Sequence, residues 1–226
     1  MPGKYIGMPK LMDFAKYMYG FRLFFRRLYR QPASFIFNNH TYTYFEHPYN
    51  GTWMNERIIE IPIIWKQIKS HSPDTVLEVG NVLSHYFPVK HLVVDKYERQ
   101  PGVISEDILD VNLSQKFDCI VSISTLEHIG WDEIPRVARK YMFAIEKMNH
   151  LLSANGKLLA TIPLGYNPVF DQDLFDGKLG CNQVFYFKRL TTDTWREAPL
   201  EQVRNSQYGK AYRTTDGLAL CVWQKI

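Results

Sequence analysis

Two strand ends, separated by a ten-residue link, constrain this chain more than any other feature. Val76-Leu77-Glu78-Val79 runs into Gly80-Asn81, and His91-Leu92-Val93-Val94 runs into Asp95. Short apolar runs that close on an acidic residue read as buried parallel strands with polar carboxyl ends. In an open α/β sheet, ligands bind along that edge. Gly80 allows a sharp turn after the first strand. No second glycine occurs before His91, and the link has room for only about two helical turns.

At 226 residues, with 46% apolar and 15% aromatic side chains, the chain can form one substantial core with an appendage. No apolar run approaches the length of a membrane span, and the first twenty residues lack a secretory pattern, so the expected location is cytoplasmic. Cys119, Cys181 and Cys221 lie far apart, and no CxxC or HExxH pattern occurs, which predicts free thiols and no metal. The net charge of +4 is concentrated at the front. Residues 1–50 hold seven Lys or Arg against Asp13 and Glu46, leaving −1 for the rest. A nucleic-acid partner would require basicity over the main surface, so none is expected.

The organisation divides at about residue 52 into a basic aromatic extension (1–52) and an α/β domain (53–226). Lys10 to Arg30 reads as a helix with Leu11, Phe14, Met18, Phe21, Phe25 and Leu28 on one face and Lys16, Arg22, Arg26, Arg27 and Arg30 near the other. Such a helix either packs on the domain or on a second copy of the chain, as a homodimer contact, or lies peripherally on an anionic membrane. Ser34 to Tyr49 predicts a hairpin turning at Asn38-Asn39. A helix follows over 53–69, kinked or divided by Pro62.

From Asp74 onward, strands are predicted at 75–80, 91–95, 103–107, 117–124, 157–163, 183–190 and 218–225. A helix is predicted from Asp132, as cap, to Leu152. Ser153-Ala154-Asn155-Gly156 is read as its stop.

Five segments, taken in order, resemble the class I S-adenosylmethionine-dependent methyltransferases over residues 53–226. They are Val76–Asn81, His91–Asp95, Glu106-Asp107-Ile108, Phe117–His128, and Leu151–Leu159 leading into Ile162-Pro163. The most specific is Phe117-Asp118-Cys119-Ile120-Val121-Ser122-Ile123-Ser124-Thr125-Leu126-Glu127-His128. The resemblance implies a Rossmann-like mixed seven-stranded sheet with helices on both faces and an antiparallel last strand. It also implies S-adenosylmethionine as cofactor and methyl transfer to a small-molecule or glycan-like acceptor, with oxygen the expected atom.

The site residues follow from these segments. Gly80 and Asn81 form the turn, and Asp95 accepts from two vicinal ribose hydroxyls. Asp107 accepts from an exocyclic amine, with Ile108 against the ring. Glu78 receives the donor's amino group. Ser124 and Thr125 sit over the methyl-donor pocket, and His128 is the candidate general base. Tyr166 and Asn167 border the acceptor. The 164–182 loop, with Phe170, Asp171, Asp173 and Phe175, lines the acceptor pocket.

Each acidic residue has a plain structural alternative as a cap or turn residue, and His128 has one as a turn hydrogen-bonder. The single glycine, where the family supplies GxGxG, keeps open a non-catalytic scaffold that has the fold without the activity. A nicotinamide enzyme is disfavoured. Its GxGxxG is absent, and Tyr86-Phe87-Pro88-Val89-Lys90 places a Tyr-x-x-x-Lys in a link where Pro88 opposes a helix.

Overall fold

The computed structural model describes residues 18–22 and 34–225. Ser34–Phe37 (β1) and His40–Thr43 (β2) form the hairpin predicted from its aromatic and polar alternation. Asn38 and Asn39 both take positive φ, 47° and 59°, as a tight hairpin turn requires. A two-stranded ribbon is marginal on its own, and this one is held by packing. Phe37 meets Phe185 and Phe187 edge-on at 5.0 and 5.1 Å. Tyr44 Oη accepts from Trp195 N–H at 3.0 Å and donates to Trp195 C=O at 3.1 Å.

The helix predicted over 53–69 is Arg57–Ile68 (α1), preceded by a 3₁₀ segment over Tyr49–Met54. Pro62 lies inside α1 without dividing it. Its missing N–H leaves the Ile58 carbonyl free, and Phe45 N–H donates to that carbonyl at 3.0 Å. The proline thus creates a docking point for the chain leaving the hairpin.

The main sheet has eight strands: Val76–Val79 (β3), Leu92–Val94 (β4), Val103–Ile104 (β5), Phe117–Ile123 (β6), Leu152–Pro163 (β7), Gln183–Arg189 (β8), Trp195–Ala198 (β9) and Gly217–Gln224 (β10). Their spatial order is β5-β4-β3-β6-β7-β10-β8-β9. Strands β3 to β7 pair in parallel, and β10 runs antiparallel to β7 and β8. The expected seven strands become eight because Trp195-Arg196-Glu197-Ala198 pairs along the β8 edge. Four residues with exposed Arg196 and Glu197 at their centre give little strand signal.

Period-two burial places alternate residues on opposite faces. One face packs Leu77, Val79, Ile120, Leu158 and Ala160 against Lys140–Leu151 (α2) and Pro168–Phe175 (α3). The other packs Val76, Cys119, Val121, Ile123 and Leu159 against α1 and the hairpin aromatics. Helices therefore cover both faces, as expected.

Three local expectations are corrected. The helix expected from Asp132 begins at Lys140, because the Asp132 carboxylate accepts from His128 and Tyr166 instead of capping. Residues 153–156 are not a helix stop followed by a new strand. They form an irregularity inside β7, whose partners jump from Leu152 to Lys157 across Phe117 and Cys119, with Asn155 at φ 63°. The Gly80–His91 link holds one 3₁₀ turn, Leu83–His85, and no α-helix.

The predicted helix over 10–30 lies largely outside the described residues, and with it the suggested membrane or dimer contact. Within 18–22, Tyr19 stacks on Trp53 at 5.5 Å, and Arg22 pairs with Glu46 at 3.0 Å and with Asp193 at 2.5 Å. No helix among the described residues is long and apolar enough to cross a membrane.

The loop expected over 164–182 contains α3, capped by Asn167, whose side chain accepts from Val169 and Phe170 N–H. Phe170 is fully buried in the core, and Asp173 is buried beneath Arg139 and Tyr141. Neither lines a pocket. Asp171 Oδ2 accepts from Gly165 N–H at 2.7 Å, while Oδ1 is buried without a hydrogen-bond partner among the described residues. Burial raises this carboxyl to about 6, and the bond from Gly165 opposes the rise only in part.

A raised acid binds its proton more tightly when folded, so unfolding releases it and this carboxyl's contribution to stability falls as pH rises from about 4 to about 6. Asp171→Asn is expected to remove that part of the pH dependence and to be more stable than the wild type at pH 7. Urea denaturation of both proteins at pH 4.5 and 7 checks this; equal pH dependence would contradict it.

Candidate functional site

The chain leaves β3 outward through β4 and β5, then returns to β6 and moves the other way through β7. The carboxyl ends of β3, β4 and β6 flank this reversal, where side-chain cover is thinnest. A cleft of about 250 Å³ opens there, lined among others by Gly80, Asp95, Asp107, Ile108, Thr125 and His128. Seven of the nine predicted site residues line it. Glu78 and Asn81 do not.

Glu78 is fully buried. Oε1 accepts from the N–H groups of Val82 and Leu83, both at 2.9 Å, and Oε2 pairs with His91 Nε2 at 2.8 Å. The carboxylate organises the link after β3, which corrects its expected role toward a donor amine. Asn81 also turns inward. Its Nδ2 donates to Glu98 at 2.6 Å, and Oδ1 accepts from Ser84 at 2.5 Å.

Gly80 takes φ 88°, but its missing Cβ does not leave room for a ligand. A Cβ there would fall 2.1 Å from Thr125 Oγ1 and 2.7 Å from Thr125 Cγ2. The glycine accommodates the turn after β6. That turn is itself unusual, because Ser124 has φ 42°, a conformation uncommon for non-glycine residues. Ser124 N–H donates to Thr161 C=O at 2.9 Å, and Ser124 Oγ donates to Glu60 Oε1 at 2.6 Å. These bonds fix the strained residue from both sides.

Asp95 faces the cleft and is held rigidly. Oδ1 accepts from Tyr97 and Glu98 N–H at 2.8 and 2.9 Å, and Oδ2 accepts from Asn81 N–H at 2.9 Å. Three of about four acceptor positions are filled, so Asp95 can take one ligand hydroxyl, not the expected two.

Asp107 is engaged by Lys140 at 2.7 Å and Lys96 at 3.1 Å, and both lysines also meet Glu133. Burial pushes the Asp107 carboxyl up, but the bonds from Lys140, Leu109 N–H and Lys96 outweigh it and hold it below the usual range. Lys96 and Glu133 were not singled out from the sequence. Each directly follows an aspartate, Asp95 or Asp132, without any periodic signal.

His128 stands at the cleft mouth, with its side chain 40% exposed. Nδ1 lies 2.6 Å from Asp132 Oδ2, and Tyr166 Oη donates to the same oxygen at 2.7 Å. Burial raises the Asp132 carboxyl, but the His128 and Tyr166 bonds overcome that and lower it. An anionic Asp132 selects the tautomer with the proton on Nδ1, so Nε2 carries the lone pair.

Behind Ser124 and His128 lies a second cavity of about 280 Å³, whose wall includes Glu56, Arg57, Glu127, Tyr208 and Arg213. Glu127 is fully buried, and neither carboxylate oxygen has a hydrogen-bond partner among the described residues. His128 Nε2 is 3.5 Å from Glu127 Oε1 without hydrogen-bond alignment. Burial raises Glu127 well above the ordinary carboxyl range. Glu56 is also raised, by burial and then by Glu60. Glu60 is satisfied by Arg57 at 2.5 Å and by Ser124. The sequence did carry one signal for this cluster: Glu56 and Glu60 stand at i, i+4 spacing at the start of an isoleucine-rich run.

No family model matches the chain, and no curated protein matches it. Among solved structures, it is similar to the N-methyltransferase NodS from Bradyrhizobium japonicum WM9 in complex with S-adenosyl-L-homocysteine. That likeness has 13% identity and a TM-score of 0.44, and covers 76% of this chain and 94% of that one. It is also similar to an S-adenosylmethionine-dependent methyltransferase from Clostridium acetobutylicum, at 16% identity and a TM-score of 0.38, over 73% of this chain and 89% of that one. Both are distant likenesses.

Proposed function

We propose that the protein transfers a methyl group from S-adenosylmethionine to a hydroxyl of a small-molecule or glycan-like acceptor. The observation that carries this reading is the pairing of two adjoining cavities across Ser124 and His128 at the sheet's switch point. One cavity offers a nucleoside site and the other offers a polar pocket. The residues of the first fit the donor in kind: Asp95 retains one acceptor position for a ribose hydroxyl, Ile108 and Val94 offer apolar contact, and Asp107 accepts from an amine once Lys96 swings outward.

When bound, the donor supplies an activated sulfonium. The carbon–sulfur bond breaks as the carbon–oxygen bond forms, leaving a neutral thioether. The protein's part is to align the reactants and take up the hydroxyl proton. His128 receives that proton at Nε2, and Asp132 stabilises the imidazolium through Nδ1.

A second reading, a scaffold that keeps the fold without binding donor, is favoured by two observations. Thr125 fills the space beside Gly80, and lysines already engage Asp107. Titration of S-adenosylhomocysteine into Asp95→Ala separates the site from a site elsewhere. At least a tenfold loss of affinity is expected in a protein that melts cooperatively, since a charge-assisted bond is worth roughly 1.5–3 kcal/mol. Undiminished binding would remove Asp95 from the donor site.

A further inference from the structure

Accepting the transfer reading above, the second cavity carries information about the acceptor that the first does not. Its wall holds Glu56 and Glu127, with relative exposures of 6% and 0%. Glu56 Oε2 and both Glu127 oxygens lack hydrogen-bond partners among the described residues. Buried carboxylates ordinarily find partners, and one left unpaired in a low dielectric is strongly disfavoured.

The cations nearby do not resolve the deficit. Arg57 Nη1 is committed to Glu60 at 2.5 Å. Burial opposes the Arg57 charge, but Glu60 and Glu56 overcome it and raise its pKa. Arg213 is exposed at the rim. Tyr208 is half-buried in the same wall, edge-on to Tyr166 at 5.0 Å, and an aromatic face suits a cation.

We propose that this cavity is the acceptor pocket and that the acceptor is an amino alcohol or amino sugar. Its protonated amine is held by Glu127 and Glu56, and its hydroxyl is presented at His128. The ammonium supplies donors to the unpaired oxygens and favours their ionised form, which burial alone opposes. Because His128 borders both cavities, an amine bound beside Glu127 leaves the other end of a short molecule at the donor cleft.

The test uses the full chain and saturation-transfer-difference NMR, with ethanolamine, glucosamine and tyramine at millimolar concentration and the N-acetyl derivative of each. Acetylation removes the charge while keeping the hydroxyl. At least one amine should bind, its acetylated partner should bind at least tenfold more weakly, and Glu127→Gln or Glu56→Gln should weaken the amine by a similar factor. Three results would each overturn the proposal: no amine binds, amine and amide bind alike, or amine binding survives both substitutions. S-adenosylhomocysteine titrated into the same samples reports separately on the donor reading, so loss of that binding is distinguishable from loss of amine recognition.

Discussion

Glu78→Ala is expected to destabilise the protein by about 3–5 kcal/mol, since each buried hydrogen-bonding group left unpaired costs about 1–3 kcal/mol. The carboxylate has no exposure. It satisfies two consecutive backbone N–H groups, of Val82 and Leu83, and pairs with His91, the residue just before β4. Alanine would leave these donors without a partner while opening a cavity behind the link. Water cannot readily repair the loss, because Leu83 is itself fully buried. Urea denaturation with an unchanged slope measures the effect. A cost below about 1 kcal/mol would mean that Glu78 does not organise this link.

Gly80→Ala should be comparably damaging for a different reason. A side chain at φ 88° is strained before any contact is counted, and the new Cβ would overlap Thr125. Left-handed strain and overpacking together suggest about 3 kcal/mol or more. The two sources can be separated. Thr125→Gly in the same chain removes the clash and leaves the φ strain, so the double variant should recover part of the loss and no more. Full recovery would show the backbone conformation to be unimportant. No recovery would show that Thr125 is not what the glycine accommodates.

These two residues also show how the sequence both reveals and conceals the site. Strand polarity was legible because alternate residues of parallel strands are buried on two faces, so Leu77, Val79, Val93 and Val94 announce themselves. Their order placed Asp95, Asp107 and His128 on one sheet edge. What each carboxylate does was not legible. An acidic residue at a strand end looks the same whether it faces a cleft, as Asp95 does, or turns inward to backbone N–H groups, as Glu78 does.

The packing reason for the glycine was concealed in a similar way. Its positive φ is local, but the group occupying its Cβ position comes from Thr125, forty-five residues later. The helix start at Asp132 failed because His128 and Tyr166 compete for the capping carboxylate, and Tyr166 arrives only through the tertiary fold. The buried acids of the second cavity were hidden for the same reason. Glu56 immediately precedes α1 and Glu127 follows β6, and they meet only when α1 lies across the turn after β6.

The cleft at the ends of β3, β4 and β6 is expected to bind the methyl donor despite its single glycine and its resident lysines. Isothermal titration of the wild-type chain with S-adenosylhomocysteine, which has the donor's nucleoside and amino acid without the reactive methyl, tests this most directly. Saturable binding at one molecule per chain is expected. Absence of binding at millimolar ligand would contradict it and leave the fold as a scaffold.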